Sequence, residues 1–150
     1  MPERNNSSSK TGEGNAVKRL CVFNVTRQSF LSLGVEVLAA RFGLWRWLVR
    51  AERSWRDGTW LVPCRWIHTI GSRHPVDVVY LDPELRVLHV IEKLLPFRVA
   101  PLRRGTHSML ELPERTLYWS NTAPGDQLLI CPASDLAEQW ARANKERVLR

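Results

Sequence analysis

The sequence predicts a small α+β domain, built on a mostly antiparallel curled sheet or barrel with two or three flanking helices. The chain has 150 residues, which is enough for one core of ordinary size and too few for two typical domains. Short apolar runs alternate with turn residues along most of it, a pattern typical of small antiparallel sheets. Amphipathic patterns at helical spacing predict the helices.

Composition places the chain among ordinary globular proteins, with 44% hydrophobic and 25% charged residues. No stretch approaches the roughly 18 uncharged apolar residues that span a bilayer, and the polar N-terminus does not resemble a signal peptide. We therefore expect a cytoplasmic protein without a transmembrane segment. The three cysteines, Cys21, Cys64 and Cys131, show no paired spacing and are predicted to be free core thiols.

The chain divides by composition into three parts. Residues 1–18 are polar and rich in Asn, Ser and Gly, and we expect a disordered tail there. Residues 19–132 carry the predicted single α+β domain. Residues 133–150 are predicted to form an amphipathic helix that packs on the domain or extends from it, with Asp135 suited to its N-cap position.

The first half of the domain is predicted to form a strand followed by two helices. Residues 20–25 are a short apolar run, which indicates a strand. Apolar residues near helical spacing predict a helix over residues 29–41, namely Phe30, Leu33, Val37 and Leu38. Residues 44–55 show the clearest amphipathic pattern in the chain, with arginines on the face opposite the apolar one.

The element around which the chain is organised is the run Pro75-Val76-Asp77-Val78-Val79-Tyr80-Leu81-Asp82. Both faces of this predicted strand are apolar except at Asp77, which indicates an interior strand with a carboxylate at least half buried. A buried carboxylate is unfavourable unless it is hydrogen-bonded or paired. Asp77 is therefore either a structural anchor, held by Thr69, backbone amides or an arginine, or part of a site.

Residues 82–85 have turn chemistry, and residues 86–91 are the predicted returning strand. If the turn is tight, Tyr80 lies opposite Val87 and Val78 lies opposite His89. Two further predicted strands, residues 108–112 and 127–131, flank an ambiguous segment that has the length of a single helical turn.

Several of these runs together resemble a known family. The run Ile67-His68-Thr69-Ile70-Gly71 and the strand after it are similar to the central signature of the family called domain of unknown function 192. Three further runs match in order: Pro96-Phe97-Arg98, Leu110-Glu111-Leu112-Pro113 and Gly125-Asp126-Gln127-Leu128. The resemblance implies a β-rich fold with an accessory helix and no established activity. Where the family usually carries an Ala-Gly pair after the Leu-Pro, this chain has Glu114-Arg115.

Five polar residues are predicted to line a shallow pocket: His68, Thr69, Asp77, Arg98 and Glu111. If Asp77 orients His68, the pair could serve a hydrolase-like or lyase-like enzyme, and Cys64 lies four residues before the histidine. Because these residue types occur together in many chains, the structural role of Asp77 is favoured. The Cys and His spacing matches no metal site, and we expect no metal and no cofactor.

A second candidate surface combines arginine with tryptophan. Seven arginines and only two acids lie between residues 41 and 73 of a chain whose net charge is +7. Arginines beside aromatic rings suit single-stranded nucleic acid or an anionic lipid surface. The predicted polyanion face comprises Arg46, Arg50, Arg53 and Arg56. The alternative is an ordinary helix with its tryptophans in the core and its arginines in water.

Three functions follow from these observations. The first is a non-enzymatic binding or accessory module, whose basic helix contacts a polyanion or a partner protein. The second is an enzyme using the Asp77–His68 pair, which requires His68 to be open to a cleft and within hydrogen-bond reach of a carboxylate. The third is a polyanion-binding protein acting through the arginine face.

Overall fold

Residues 18–39 and 57–150 are the parts of the chain that the computed structural model describes, and nine strands and two α-helices follow one another there. In chain order they are β1 (Arg19–Asn24), β2 (Ser29–Ala39), β3 (Thr59–Val62), β4 (Ile67–His68), β5 (Val76–Leu81), β6 (Val87–Leu94), β7 (Val99–Ala100), β8 (Ser108–Pro113), α1 (Thr116–Ser120), β9 (Leu128–Cys131) and α2 (Leu136–Val148). No helix in this part of the chain has the length and apolar character needed to cross a bilayer.

Seven strands form one sheet in the order β6-β5-β8-β3-β2-β1-β9, and β4 pairs with β7 in a small second sheet. All described pairs are antiparallel except β2 with β3. The two edges of the large sheet meet at one end, where the amide of Leu128 donates to the carbonyl of Leu85 at 3.0 Å and that of Val87 to Asp126 at 2.9 Å. The sheet is therefore curled, as the sequence predicts.

Each face of the curled sheet carries its own core. The inner core draws residues from both edges of the sheet and from α1, and so fills the inside of the curl: Leu20, Val22, Leu31, Val35, Val79, Leu81, Val87, Leu110, Leu112, Leu117 and Leu128. The outer core lies between the large sheet and the small one: Leu61, Ile67, Val78, Tyr80, Leu94, Ala100 and Met109. Because side chains alternate along a strand, β5 and β8 supply both cores.

The helix predicted over residues 29–41 is wrong, because Ser29–Ala39 is the longest strand of the sheet. Leu31 and Val35 are buried there, whereas Phe30 and Leu33, two of the residues that defined the helical pattern, are 48% and 71% exposed. The β1–β2 pairing contains register irregularities, so the apolar pattern of β2 does not keep a period of two. Long-range pairing with β1 and β3 overrides the local signal.

The β5–β6 hairpin also differs from the register expected for a tight turn. Tyr80 lies opposite His89 and Leu81 opposite Val87, with an irregularity between the two pairs. The turn is wider because the Asp82 carboxylate accepts the amides of both Glu84 and Arg86, at 3.0 and 2.8 Å. An Asx-type turn of this kind adds residues that a two-residue turn lacks.

The C-terminal helix begins at Leu136, close to its predicted start, but the side chain of Asp135 makes no capping hydrogen bond. Helix α2 buries none of its residues, and its Trp140 donates from Nε1 to the side-chain oxygen of Gln28 at 3.2 Å. Cys21 and Cys131 are buried free thiols opposite each other on β1 and β9, as predicted for core residues, whereas Cys64 is only half-buried.

Candidate functional site

Asp77 is an anchor between three elements. It lies in β5, one strand in from the edge, and is 1% exposed. One carboxylate oxygen accepts the amide of Lys93 at 2.9 Å, and the other accepts the amide of Leu117 at 2.8 Å. These bonds tie the edge strand β6 and the start of α1 to the sheet. Of the partners expected from the sequence, backbone amides are therefore the ones that hold Asp77.

The sheet separates Asp77 from Glu111, although the sequence placed both in one pocket. Asp77 lies opposite Leu112, an inner-core residue, whereas Glu111 lies opposite Val78 of the outer core. Neighbours across a strand pair share a face, so the two carboxyl groups point to opposite sides of the sheet. The five residues predicted to line one pocket therefore do not all lie on the same side of the sheet.

Thr69 links its own segment to residues 95–98, which lie 26 to 29 positions further along the chain. Its hydroxyl donates to the carbonyl of Leu95 at 2.7 Å and accepts the amide of Arg98 at 2.9 Å. Its own amide donates to the carbonyl of Arg98 at 2.8 Å, and its carbonyl accepts the amide of Phe97 at 3.0 Å. Together with the β4–β7 pairing, these bonds fix residues 63–75 against residues 95–107. We call these two segments the loop pair.

His68 lies in the strand part of the loop pair and is 8% exposed. Its Nδ1 accepts the amide of Ile70 at 3.3 Å, and its ring lies 6.1 Å from the ring of Trp66, centroid to centroid. The structure thus brings His68, Thr69 and Arg98 together in the loop pair. Arg98 is exposed, and its guanidinium donates to the carbonyl of Phe97.

Glu111 is on the face of the sheet that the loop pair covers, close enough to Cys64 to affect its titration. Burial raises the pKa of Glu111 to about 8, so this carboxyl is mostly protonated at neutral pH. Burial also raises the pKa of the Cys64 thiol, and the charge of Glu111 raises it further. A thiol of this kind is a poor nucleophile at neutral pH, because the thiolate is the reactive form.

A second buried carboxylate, Asp126, is part of a polar cluster that the sequence analysis did not single out. One of its oxygens accepts hydrogen bonds from Asn24 at 3.0 Å and from the amide of Ala123 at 2.9 Å. Arg27 donates to the same carboxylate, and Asn24 also donates to Thr122 at 3.0 Å. Burial alone would raise the pKa of Asp126, but these hydrogen bonds outweigh it, so the pKa is lowered. The only sequence signal for this cluster was the Gly125-Asp126-Gln127-Leu128 run of the resemblance.

Replacing Asp126 with Asn should destabilise the protein by about 1–3 kcal/mol at pH 7, because the charged acceptor is lost. A carboxyl whose pKa is lowered by folding stabilises the protein above its unfolded value and loses that effect as pH falls through the folded value. The difference between the variant and the parent should therefore shrink below about pH 4. Urea unfolding at pH 7 and pH 3 measures it, and an undiminished difference at pH 3 would contradict this assignment.

The charged side chains of the loop pair are all basic. Its 26 residues contain five arginines and no aspartate or glutamate, and all five arginines are exposed: Arg65, Arg73, Arg98, Arg103 and Arg104. Arg103 lies 3.2 Å from Nε2 of His89, whose pKa is lowered by partial burial and then by this arginine. A neutral His89 can accept a hydrogen bond from Arg103 and hold its side chain in place.

The predicted polyanion face, Arg46, Arg50, Arg53 and Arg56, lies outside the described residues, as do residues 1–17 of the predicted tail and the helix predicted over residues 44–55. Within residues 18–39 and 57–150, no three His, Cys, Asp or Glu side chains come together as a metal site would require.

Fold and site together define a small α+β domain with a curled sheet and a basic loop pair. Two solved structures share the fold. A putative transcription regulator from Sinorhizobium meliloti 1021 superposes with a TM-score of 0.58 at 16% identity, over 77% of this chain and 94% of that one. A protein of unknown function from Novosphingobium aromaticivorans DSM 12444 superposes with a TM-score of 0.57 at 13% identity, over 75% and 84%. No family model and no curated protein matches the chain.

Proposed function

We propose that this chain is a non-enzymatic binding module that recognises an anionic partner through its loop pair. The observation that carries the proposal is the charge of the loop pair, whose two segments contain five exposed arginines and no acidic residue. The nearby Glu111 adds little negative charge at neutral pH, because its pKa is about 8. A surface of one sign attracts and steers partners of the other.

An enzyme built on an Asp77–His68 pair is less well supported. Both oxygens of Asp77 accept backbone amides, which gives this carboxylate a structural task. His68 is mostly buried and accepts the amide of Ile70 through Nδ1. A catalytic histidine needs to reach both an orienting carboxylate and a substrate.

We also propose that the chain is a member of the domain of unknown function 192 family. The ordered motifs support this, and two of their residues have a physical task in the fold, since Asp77 and Asp126 each tie separate elements together. Arg115, which stands where the family usually has glycine, has a left-handed backbone conformation with φ of 73°. That conformation is the one for which glycine is suited.

Heparin, a polyanion, provides a first test with the full chain. Changing Arg98, Arg103 and Arg104 to Gln should weaken heparin binding about tenfold or more at low salt, and the remaining binding should depend less steeply on salt. A matched control changes three bases of α2, Arg142, Lys145 and Arg147, to Gln and so removes the same charge elsewhere. Equal losses in both variants would mean that net charge alone, and not the loop pair, binds the polyanion.

A further inference from the structure

The loop pair exposes large apolar side chains as well as arginines. Six of them are between 44% and 66% exposed: Trp66, Ile70, Leu95, Phe97, Val99 and Leu102. Single exposed apolar residues are common on any protein, but here six of them lie on two short segments that hydrogen bonds and strand pairing hold together. About half or more of the surface of each of these side chains is open to solvent.

Phe97 is the most exposed of the six and has an unusual backbone. Its φ is 58°, a left-handed conformation that is unfavourable for a bulky residue. The amides on either side of this turn are held by Thr69, which accepts Phe97 N through its carbonyl and Arg98 N through its hydroxyl. The fold thus maintains an unfavourable conformation in which a phenylalanine side chain is 66% exposed to solvent.

The positive charge of the loop pair restricts which partner can bind this surface. A second copy of the chain would bring another five arginines against the first five, and like charges across an apolar contact are unfavourable. The occupant must therefore be anionic and must also accept exposed apolar side chains. Only two of the six, Trp66 and Phe97, are aromatic, and the four aliphatic side chains cannot stack on bases as a single-stranded nucleic acid would require.

We infer that the loop pair binds an anionic lipid surface, with its six apolar side chains inserted at the headgroup boundary and its arginines against the lipid charges. Apolar side chains surrounded by basic ones are the combination that holds a protein in the interface of an anionic membrane. This inference rests on the proposed function and specifies the partner of the same surface.

The test compares the full chain on two kinds of vesicle by co-sedimentation. Vesicles of phosphatidylcholine with a one-third share of phosphatidylglycerol should bind the protein, and vesicles of phosphatidylcholine alone should bind it at least about tenfold more weakly. The variant Phe97→Asn with Leu102→Ser should bind the anionic vesicles at least about tenfold more weakly than the parent. Asn is chosen at position 97 because it tolerates the left-handed conformation.

Two controls separate this inference from the proposal beneath it. Trp119 is 74% exposed on α1, a helix outside the loop pair that contributes Leu117 to the inner core; changing it to Ser should leave vesicle binding unchanged. Heparin binding of the Phe97→Asn, Leu102→Ser variant should equal that of the parent, since both changes leave the arginines in place.

The results of these experiments distinguish a failure of the membrane inference from a failure of the proposed function. If the parent binds heparin but not anionic vesicles, or if the apolar variant binds vesicles as well as the parent does, the membrane inference is overturned and the proposed function stands. If a single-stranded oligonucleotide binds and the same variant loses that binding, the partner is a nucleic acid and the membrane inference is again overturned. If neither heparin nor vesicles bind, the proposed function itself fails.

Discussion

Replacing Glu111 with Gln should stabilise the protein at neutral and alkaline pH. Folding raises the pKa of this carboxyl to about 8 by burying it, whereas in the unfolded chain it titrates near its ordinary value. An acid of this kind contributes most favourably below its unfolded pKa, and the stability of the protein falls as pH rises from there through the folded pKa. The glutamine side chain has nearly the same shape as that of glutamate but has no ionisable group.

The expected gain is on the order of 2–3 kcal/mol at pH 7, because part of the side chain keeps contact with water and moderates the effect. It should rise slightly up to about pH 8, remain constant above it, and vanish near pH 4, where both side chains are neutral. Urea unfolding across this range measures it. Glu84→Gln, a change at an exposed turn residue, is the control and should follow the parent at every pH. If Glu111→Gln gives no gain at pH 8, the carboxyl is not buried in the way described.

Changing Asp77 should have the largest destabilising effect among the residues of the candidate site. In Asp77→Ala both amides lose their acceptor inside the protein, and in Asp77→Asn one of them faces the amide group of the new side chain. Buried hydrogen bonds to a charged group are worth about 1.5–3 kcal/mol each, so the loss of both in Asp77→Ala should total about 3–6 kcal/mol. For a chain of this length that corresponds to a fall in melting temperature of about 10 °C.

The control is Asp82→Asn. Asp82 also accepts two backbone amides, from Glu84 and Arg86, but it does so through one oxygen in an exposed turn. It should lose less than about 1 kcal/mol, because Asn keeps an acceptor oxygen. Below their lower melting temperature, Asp77 variants should still bind heparin. A variant with unchanged melting temperature but no binding would show that Asp77 acts in the site and not in the fold.

The sequence predicted the fold class because its signals there are local. Apolar runs at residues 20–25, 76–82 and 108–112 became β1, β5 and β8, and the turn residues between them separate the strands where expected. The burial of Asp77 also followed from local pattern, since a strand with two apolar faces has no side open to water. The helix predicted over residues 29–41 was wrong, because pairing with distant strands decides the conformation of that segment.

Which of the candidate site residues lie together could not be predicted from sequence for a related reason. Thr69 and Asp77 are close in sequence, and Glu111 was grouped with them because all three belong to the motifs of the resemblance. Side chains alternate along paired strands, however, so Asp77 and Glu111 lie on opposite faces of the sheet. Which residue lies opposite which depends on register, and register depends on turns and bulges that composition does not specify.

The sequence by itself determined several strands of the sheet, among them β1, β5 and β8, together with the interior position of Asp77 and the excess of arginine. Only the tertiary structure decided that residues 63–75 and 95–107 form one surface, because the bonds of Thr69 and the β4–β7 pairing join segments that no local pattern connects. Hydrophobic periodicity acts over a few residues, whereas contacts between distant segments depend on how the whole sheet curls.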